Sequence, residues 1–265
     1  MNPIKFIIST SLFLIISCDA IRPFFISDQE EVNLGNKFKK EILADTKNYP
    51  RFQGDLRVVD FVDSLGQVIA DAQKDRPKLN FTFTILEDTS INAFAVPGGH
   101  VFVYTGLLKN MDNTAELAGV LAHEIGHITK YHGANKLMQG QAIDLVNQIL
   151  FGEDSSSILA AVTKIVESMT FLQLSQKDEF QADSCAIAYT ALAGINPVGM
   201  KRFLQKLRQK YGDTPKIFEP FSTNPSMSDR ISKVTKLMNT IPGVPSDSTS
   251  LLYESQYVAI KNLLD

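Results

Sequence analysis

Two histidines four residues apart flank a glutamate in the HEIGH segment, which runs from His123 to His127. Residues at this spacing lie on one face of an α-helix, so the two imidazoles can share one metal ion. Apolar residues recur at helical spacing through the segment, and Asn113 or Thr114 can cap the start of the helix. The pattern predicts a zinc site, which needs a third protein ligand.

A pair of carboxylates downstream can complete such a site. Glu179 and Asp183 are four residues apart in the EFQAD segment, on a helix predicted to begin near Leu172. One carboxylate can ligate zinc while the other accepts a hydrogen bond from the non-ligating nitrogen of a zinc-bound histidine. Taken alone, the pair is typical of a solvated helix face, and the histidine pair upstream favours the metal site.

These motifs resemble the M48 family of gluzincin metallopeptidases, and among them the members of the bacterial envelope. The segment from Asn92 to Leu108 is similar to the family's stretch before its active-site helix, and the resemblance covers about 27 to 238. It implies an α+β fold, a mostly helical zincin-like metallopeptidase with a small three- to four-stranded sheet packed on the active-site helix.

The resemblance also assigns roles to the motif residues. It implies one Zn²⁺ per chain, held by His123, His127 and Glu179, with Asp183 supporting a ligand from behind. Glu124 is then the general base, which takes a proton from the attacking water and returns it to the leaving amine.

A third motif concerns the substrate. The resemblance implies that Asn92 and the Pro97, Gly98 and Gly99 region lie at the cleft and pair with substrate in extended form.

The segment from Ser222 to Ile231 departs from the family pattern. Related enzymes usually have His where Asn224 stands, followed by an Arg that corresponds to Arg230, and these two groups are thought to steady the oxyanion. The charged fork of Arg230 predicts that it is the main stabiliser, to which Asn224 adds only a neutral donor. In the alternative interpretation, Asn224 caps a helix beginning at Pro225 and Arg230 makes a surface ion pair.

Three other residues could carry chemistry, and of these His100 and His132 are expected to be structural or surface residues. His100 and His132 lie near the motifs at no recognisable ligand spacing. Cys185 is expected to be a small apolar residue on a buried helix face.

The elements that must position these residues follow from hydrophobic periodicity. Two helices come first, the earlier opened by a capping box from Ser27 to Glu30. Period-two alternation then predicts three short strands, and the rest is almost wholly helical. The predicted helices are 27–45, 56–75, 114–131, 137–151, 156–192 (broken), 197–211, 226–239 and 251–264, and the strands 81–85, 92–96 and 101–104. This order predicts a sheet covered on one side.

The N-terminus indicates export. Residues 1–17 combine one positive charge with an apolar run that is too short to cross a bilayer, as in a secretory signal peptide. The sequence ending at Cys18 resembles the lipobox of bacterial lipoproteins, so we expect a lipid anchor on Cys18. An ordinary signal peptide with an incidental cysteine is the alternative.

These observations predict a domain organisation. The leader, residues 1–17, precedes a tether over 18–26 and an M48-type peptidase domain over 27–240. A linker and a C-terminal amphipathic helix occupy 241–265.

Composition limits the class of protein. The chain has 265 residues, of which 44% are apolar, enough for a globular core, and 26 basic residues stand against 29 acidic ones, so nucleic acid is not an expected partner. No disulfide is expected, because a lipidated Cys18 could not pair with Cys185, the only other cysteine.

The expected function is endopeptidase action on unfolded or misassembled envelope proteins, facing the periplasm. Two alternatives stay open: a lipid-anchored, chaperone-like binding protein that keeps the zinc site, and a structural lipoprotein without metal.

Overall fold

A computed structural model describes residues 27–138, 142–152, 154–170, 174–213, 226–241 and 253–264. Within those ranges, helices surround a three-stranded sheet. The helices are α1 Asp28–Ala44, α2 Leu56–Ala72, α3 Thr105–Asn110, α4 Thr114–Thr129, α5 His132–Leu137, α6 Ala142–Phe151, α7 Ser155–Thr170, α8 Gln176–Leu192, α9 Val198–Tyr211, α10 Met227–Met238 and α11 Glu254–Lys261. The strands are β1 Thr82–Leu86, β2 Ala93–Val96 and β3 His100–Tyr104. The α+β class predicted from the sequence is confirmed.

The first helix begins at the predicted capping box. The Ser27 hydroxyl accepts a hydrogen bond from the backbone N–H of Glu30, and the Glu30 carboxylate accepts one from the backbone N–H of Ser27 at 2.7 Å. Both ends of the box therefore satisfy N–H groups that the helix leaves without internal partners.

The sheet has the strand order β1-β3-β2. β1 runs parallel to β3, and β2 runs antiparallel to β3 after a turn at 97–99. Every residue of β3 is buried, as expected for the central strand, and β2 lies at an edge.

Both faces of the sheet are covered, so the prediction of one-sided cover was wrong. Phe83 and Val101 belong to a core shared with α2, α4, α8 and α9. On the other face, Phe94 stacks on Phe102 with ring centroids 4.9 Å apart, among apolar residues of α1, α6 and α7. Helix α1, which precedes the strands in the chain, and helices α6 and α7, which follow them, therefore cover the second face of the sheet together.

The central helix of the larger core is α4, which carries the HEIGH segment. Asn113 caps it by accepting a hydrogen bond from Glu116 N at 2.9 Å, as predicted. A Cβ on Gly126 would lie 2.7 Å from Cys185 Cβ, so glycine lets α8 approach closely at the centre of the motif. Cys185 is buried there, as predicted.

Several boundaries differ from the prediction. The stretch predicted as a broken helix over 156–192 forms two helices, α7 and α8, which confirms the break, whereas the short helices α3 and α5 were not predicted. None of the helices in the described ranges combines the length and apolarity needed to cross a bilayer.

Candidate metal centre

Two helices bring the predicted ligands together. α4 carries both histidines, and α8 begins only three residues before Glu179, with Ser175 as its N-cap. Ser175 and Asp178 form a second capping box, which fixes the first turn of α8. Glu179 therefore lies in the capped first turn of α8, which packs against α4, a helix that is buried along nearly its whole length.

The three predicted ligand side chains converge on one point. Nε2 of His123 lies 2.9 Å from Nε2 of His127, and the two Glu179 oxygens lie 3.7 Å and 3.6 Å from these nitrogens. Donor atoms on one zinc ion at about 2.0–2.1 Å are separated by roughly 3.3 Å in tetrahedral geometry. Two imidazoles and one carboxylate form a donor set used by catalytic zinc, so the residues fit this metal.

Asp183 lies behind His123. Its Oδ1 is 3.1 Å from Nδ1 of His123, although the ring N–H is not aligned with it well enough for a hydrogen bond. Asp183 also accepts two hydrogen bonds from Arg230, at 2.8 Å from Nε and 2.7 Å from Nη2. Burial alone would raise the pKa of Asp183, but the charge and hydrogen bonds of Arg230 hold it well below its usual range.

Arg230 reaches the metal ligands from α10. Its third contact joins Nη1 to Oε2 of Glu179 at 3.0 Å, and the residue is only 8% exposed. Burial would lower the pKa of Arg230, but Asp183 and Glu179 raise it above its ordinary value. The ion pair is buried, so the alternative interpretation of a surface pair was wrong.

The helix that carries Arg230 is not capped by Asn224. Ser226 caps α10 by accepting a hydrogen bond from Asp229 N at 3.0 Å. Asn224 lies outside the described residues, and the oxyanion roles of Asn224 and Arg230 stay predictions.

Glu124 follows His123 directly on α4. It keeps partial contact with solvent, yet protein surrounds it so closely that burial raises its pKa to about 7, against the lowering effects of His123 and Arg230. The backbone N–H of Ala95 on β2 also lies close enough to influence the carboxylate. A carboxyl group with such a pKa can both accept and release a proton near neutrality.

The two histidines are in different electrostatic environments. Burial, together with the rings of His123 and His132, holds the pKa of His127 well below its ordinary value, which favours the neutral form that a ligand needs. Burial also acts to lower the pKa of His123, but the contact with Asp183 and the charge of Glu179 outweigh it and raise the pKa.

Comparison with known proteins agrees with this geometry. Residues 60–238, more than half of the chain, match the family model described as "Peptidase family M48". The chain belongs to peptidase family M48. The family assignment rests on the whole matched region as well as on the two motifs.

Curated relatives of this M48 chain are proteases. It is 28% identical over 239 residues to the "Beta-barrel assembly-enhancing protease" of Yersinia pestis, covering 84% of this chain and 47% of the relative. It is 31% identical over 182 residues to a "Putative beta-barrel assembly-enhancing protease" of Vibrio cholerae, covering 65% and 37%. It is 27% identical over 184 residues to the human "Metalloendopeptidase OMA1, mitochondrial", covering 64% and 35%. The chain thus spans about half or less of the length of these relatives.

The edge strand β2 of this M48 family member lies beside the candidate metal centre, with Ala95 close to Glu124. Tyr104 N donates to Asn92 O, so alternation along an antiparallel pair directs the N–H and C=O groups of Ala93 and Ala95 away from β3. These backbone groups are oriented to pair with an added strand.

The turn residues singled out with this strand directly follow it and are buried. Pro97, Gly98 and Gly99 are buried, and Gly98 N donates to Oε1 of Glu31 on α1 at 3.3 Å. Gly98 and Gly99 have positive φ, which only glycine adopts without strain. The structure places these three residues at the end of β2, where Pro97 lines a small pocket with Ala95 and His127, and their pairing with substrate stays a prediction.

The two other histidines have different surroundings. His100 lies within hydrogen-bonding distance of Thr82 Oγ1 and Asn36 Oδ1, in the structural setting that was expected, and burial lowers its pKa to about 4. His132, in contrast, contacts His127 directly. Sequence reasoning missed this contact, because it searched for ligands on one helix face and α4 ends before His132.

Proposed function

We propose that this M48 peptidase is a zinc-dependent endopeptidase of the bacterial cell envelope that hydrolyses unfolded or misassembled envelope proteins. The observation that carries the proposal is the convergence of His123, His127 and Glu179 next to Glu124. The names of the bacterial relatives, which join protease action to β-barrel assembly, support the envelope setting.

Each polar group at the site has a distinct task in this proposal. His123, His127 and Glu179 would hold zinc, which when bound supplies Lewis acidity toward a water molecule and a substrate carbonyl. Glu124 accepts the proton of the attacking water and delivers it to the leaving amine. Arg230, with its charge directed toward the ligands, favours negative charge that develops on the substrate oxygen.

The substrate binds as an added strand in this proposal. Ala93 and Ala95 offer outward-facing backbone groups, and their side chains are small and only partly buried. Backbone pairing is independent of side-chain identity, so this mode of binding suits extended segments of many sequences. Unfolded chains supply such segments, whereas compact native domains do not.

The location in the envelope is a second part of the proposal. Residues 1–17 would direct export, and Cys18 would carry the lipid that holds the peptidase at the membrane, facing the periplasm. Replacing Cys18 by serine should abolish incorporation of labelled fatty acid and leave an unprocessed precursor. Fatty acid that still enters the variant would refute the anchor.

The decisive experiment compares zinc content with cleavage. The purified protein should contain close to one zinc per chain and should cut casein and an unfolded outer-membrane protein, and a chelator should stop the cutting. Glu124→Gln should keep the zinc and lose cleavage, because an amide cannot accept the proton. Glu254→Gln makes the same chemical change at an exposed position on α11 and should cut normally.

The outcomes separate the candidate functions. A protein that holds zinc and binds unfolded substrate without cutting it would be a binding protein of the chaperone type. A protein without zinc would be a structural lipoprotein. Normal cleavage by Glu124→Gln would remove Glu124 from the mechanism.

A further inference from the structure

A chain of hydrogen-bonding groups extends from the metal centre into the protein behind His127. Nδ1 of His127 lies 2.9 Å from Nδ1 of His132, and Nε2 of His132 lies 3.1 Å from Oε1 of Gln181. Oδ1 of Asp178 lies 3.6 Å from the same Nε2. The proposed reaction uses neither His132 nor Gln181, although His132 is only 4% exposed and directly contacts a ligand.

The positions of the protons along this chain follow from the chemistry of a ligand. If Nε2 of His127 ligates a metal, it carries no proton, so the proton of the neutral ring is on Nδ1. Among the described residues, the acceptor within hydrogen-bonding distance of that N–H is Nδ1 of His132. His132 then carries its own proton on Nε2, which faces acceptor oxygens of Gln181 and Asp178.

The backbone conformation that places His132 here is unfavourable for the residue before it. Tyr131, which separates α4 from α5, has a φ of 60°, a left-handed conformation that is uncommon for a bulky residue. Arg76 lies 4.2 Å from the centroid of the Tyr131 ring, and the Tyr131 hydroxyl donates to Asp28. These contacts stabilise the turn between α4 and α5 that places His132 next to Nδ1 of His127.

We propose that His132 is a positioning residue of the metal centre. It accepts the hydrogen bond of His127 Nδ1 and so fixes the tautomer and the ring orientation in which Nε2 can ligate zinc. This inference rests on the proposed zinc site. The partner of His127 is thus the neutral ring of His132, whereas the partner of His123 is Asp183, which is paired with the charged Arg230.

The first test measures zinc affinity by competition with a chromophoric chelator. His132→Leu removes the acceptor and should weaken zinc binding by roughly 10- to 100-fold, the usual effect of losing a partner of a ligand. His132→Asn places its amide oxygen where Nδ1 was, and should bind zinc within about threefold of the parent protein. A residue that only fills space would show no such rescue.

Matched variants locate the effect. Gln181 is exposed, so water can replace it, and Gln181→Leu should weaken zinc binding less than His132→Leu. His100→Asn makes the same substitution at a buried histidine on β3, away from the ligands, and should leave zinc affinity unchanged. Equal affinities of His132→Leu and the parent protein, or equal losses in His132→Leu and His132→Asn, would overturn the proposal.

A second test needs no variant. In the zinc-loaded parent protein, long-range proton–nitrogen correlation spectra of ¹⁵N-labelled histidine should show the proton on Nδ1 in His127 and on Nε2 in His132. A His132 proton on Nδ1 would overturn the proposal even if His132→Leu failed to fold. Absence of zinc from the parent protein would instead contradict the proposed function, so the two failures are distinguishable.

Discussion

Arg230→Met tests the buried charge network behind the metal centre. Methionine keeps much of the length of the side chain but removes the three nitrogens that bind Asp183 and Glu179. Asp183, which is 1% exposed, would then remain as a buried carboxylate without its cation. Loss of one partner from a buried pair costs about 3–5 kcal/mol, so we expect a loss of this size in the free energy of unfolding.

The assay is urea unfolding of the zinc-free protein, followed by far-ultraviolet circular dichroism, because the chain contains no tryptophan. The double variant Asp183→Asn with Arg230→Met replaces the orphaned charge by an amide. It should be more stable than Arg230→Met alone, since a neutral group costs less to bury than a charge. The side chain of Glu179 is 17% exposed, so water can solvate it in both variants.

Two results would refute the reasoning. A loss below about 1 kcal/mol in Arg230→Met would be typical of a solvent-screened surface pair. A double variant no more stable than the single one would show that the orphaned charge of Asp183 is not the source of the loss. Where both variants fold and bind zinc, the predicted oxyanion role of Arg230 requires kcat to fall by about a hundred- to a thousandfold in addition to any loss of stability.

Three further changes test other parts of the structure. Gly35→Ala places a Cβ 1.9 Å from the Pro97 carbonyl oxygen, so urea unfolding should show a loss of about 1–3 kcal/mol, and an unchanged midpoint would contradict the close approach of α1. His100 has a folded-state pKa of about 4, below its unfolded value near 6.5, so stability should fall as pH drops from about 6.5 to about 4, by on the order of 3 kcal/mol in total. His100→Asn should lack that part of the pH dependence, and an identical pH profile would refute the assignment. Asp183→Ala should lower zinc affinity roughly 10- to 100-fold in chelator competition, whereas equal affinity would show that Asp183 does not support His123.

The cluster of candidate metal ligands could be predicted from sequence because its geometry is local. His123 and His127 share a helix face through a fixed spacing, and the same rule pairs Glu179 with Asp183. Capping chemistry is local as well, and it correctly predicted the helix starts at Ser27 and Asn113. Each of these predictions needed only the geometry of one helix.

The features that were missed depend on contacts between distant segments. The direct contact of His132 with His127 requires a left-handed residue at Tyr131, which no helix periodicity indicates. The second cover of the sheet depends on the packing of α1 against β2, which the sequence of α1 alone does not indicate. Periodicity shows which face of an element is apolar but not which partner covers that face.

The capping box at Ser27 also limits how far the peptidase could act from a membrane. A lipid on Cys18, as proposed, would leave residues 18–26 as the only link to the rigid start of α1, and nine residues span at most about 30 Å when fully extended. α1 itself is held to the rest of the protein by the buried pair of Glu31 and Arg76, at 2.9 Å, and Arg76 also donates to the carbonyl of Ile128 on α4. Such a tether would keep the start of α1 within about 30 Å of the lipid headgroups. Polypeptides held at the same membrane surface would meet the peptidase at a higher effective concentration than polypeptides free in the surrounding fluid.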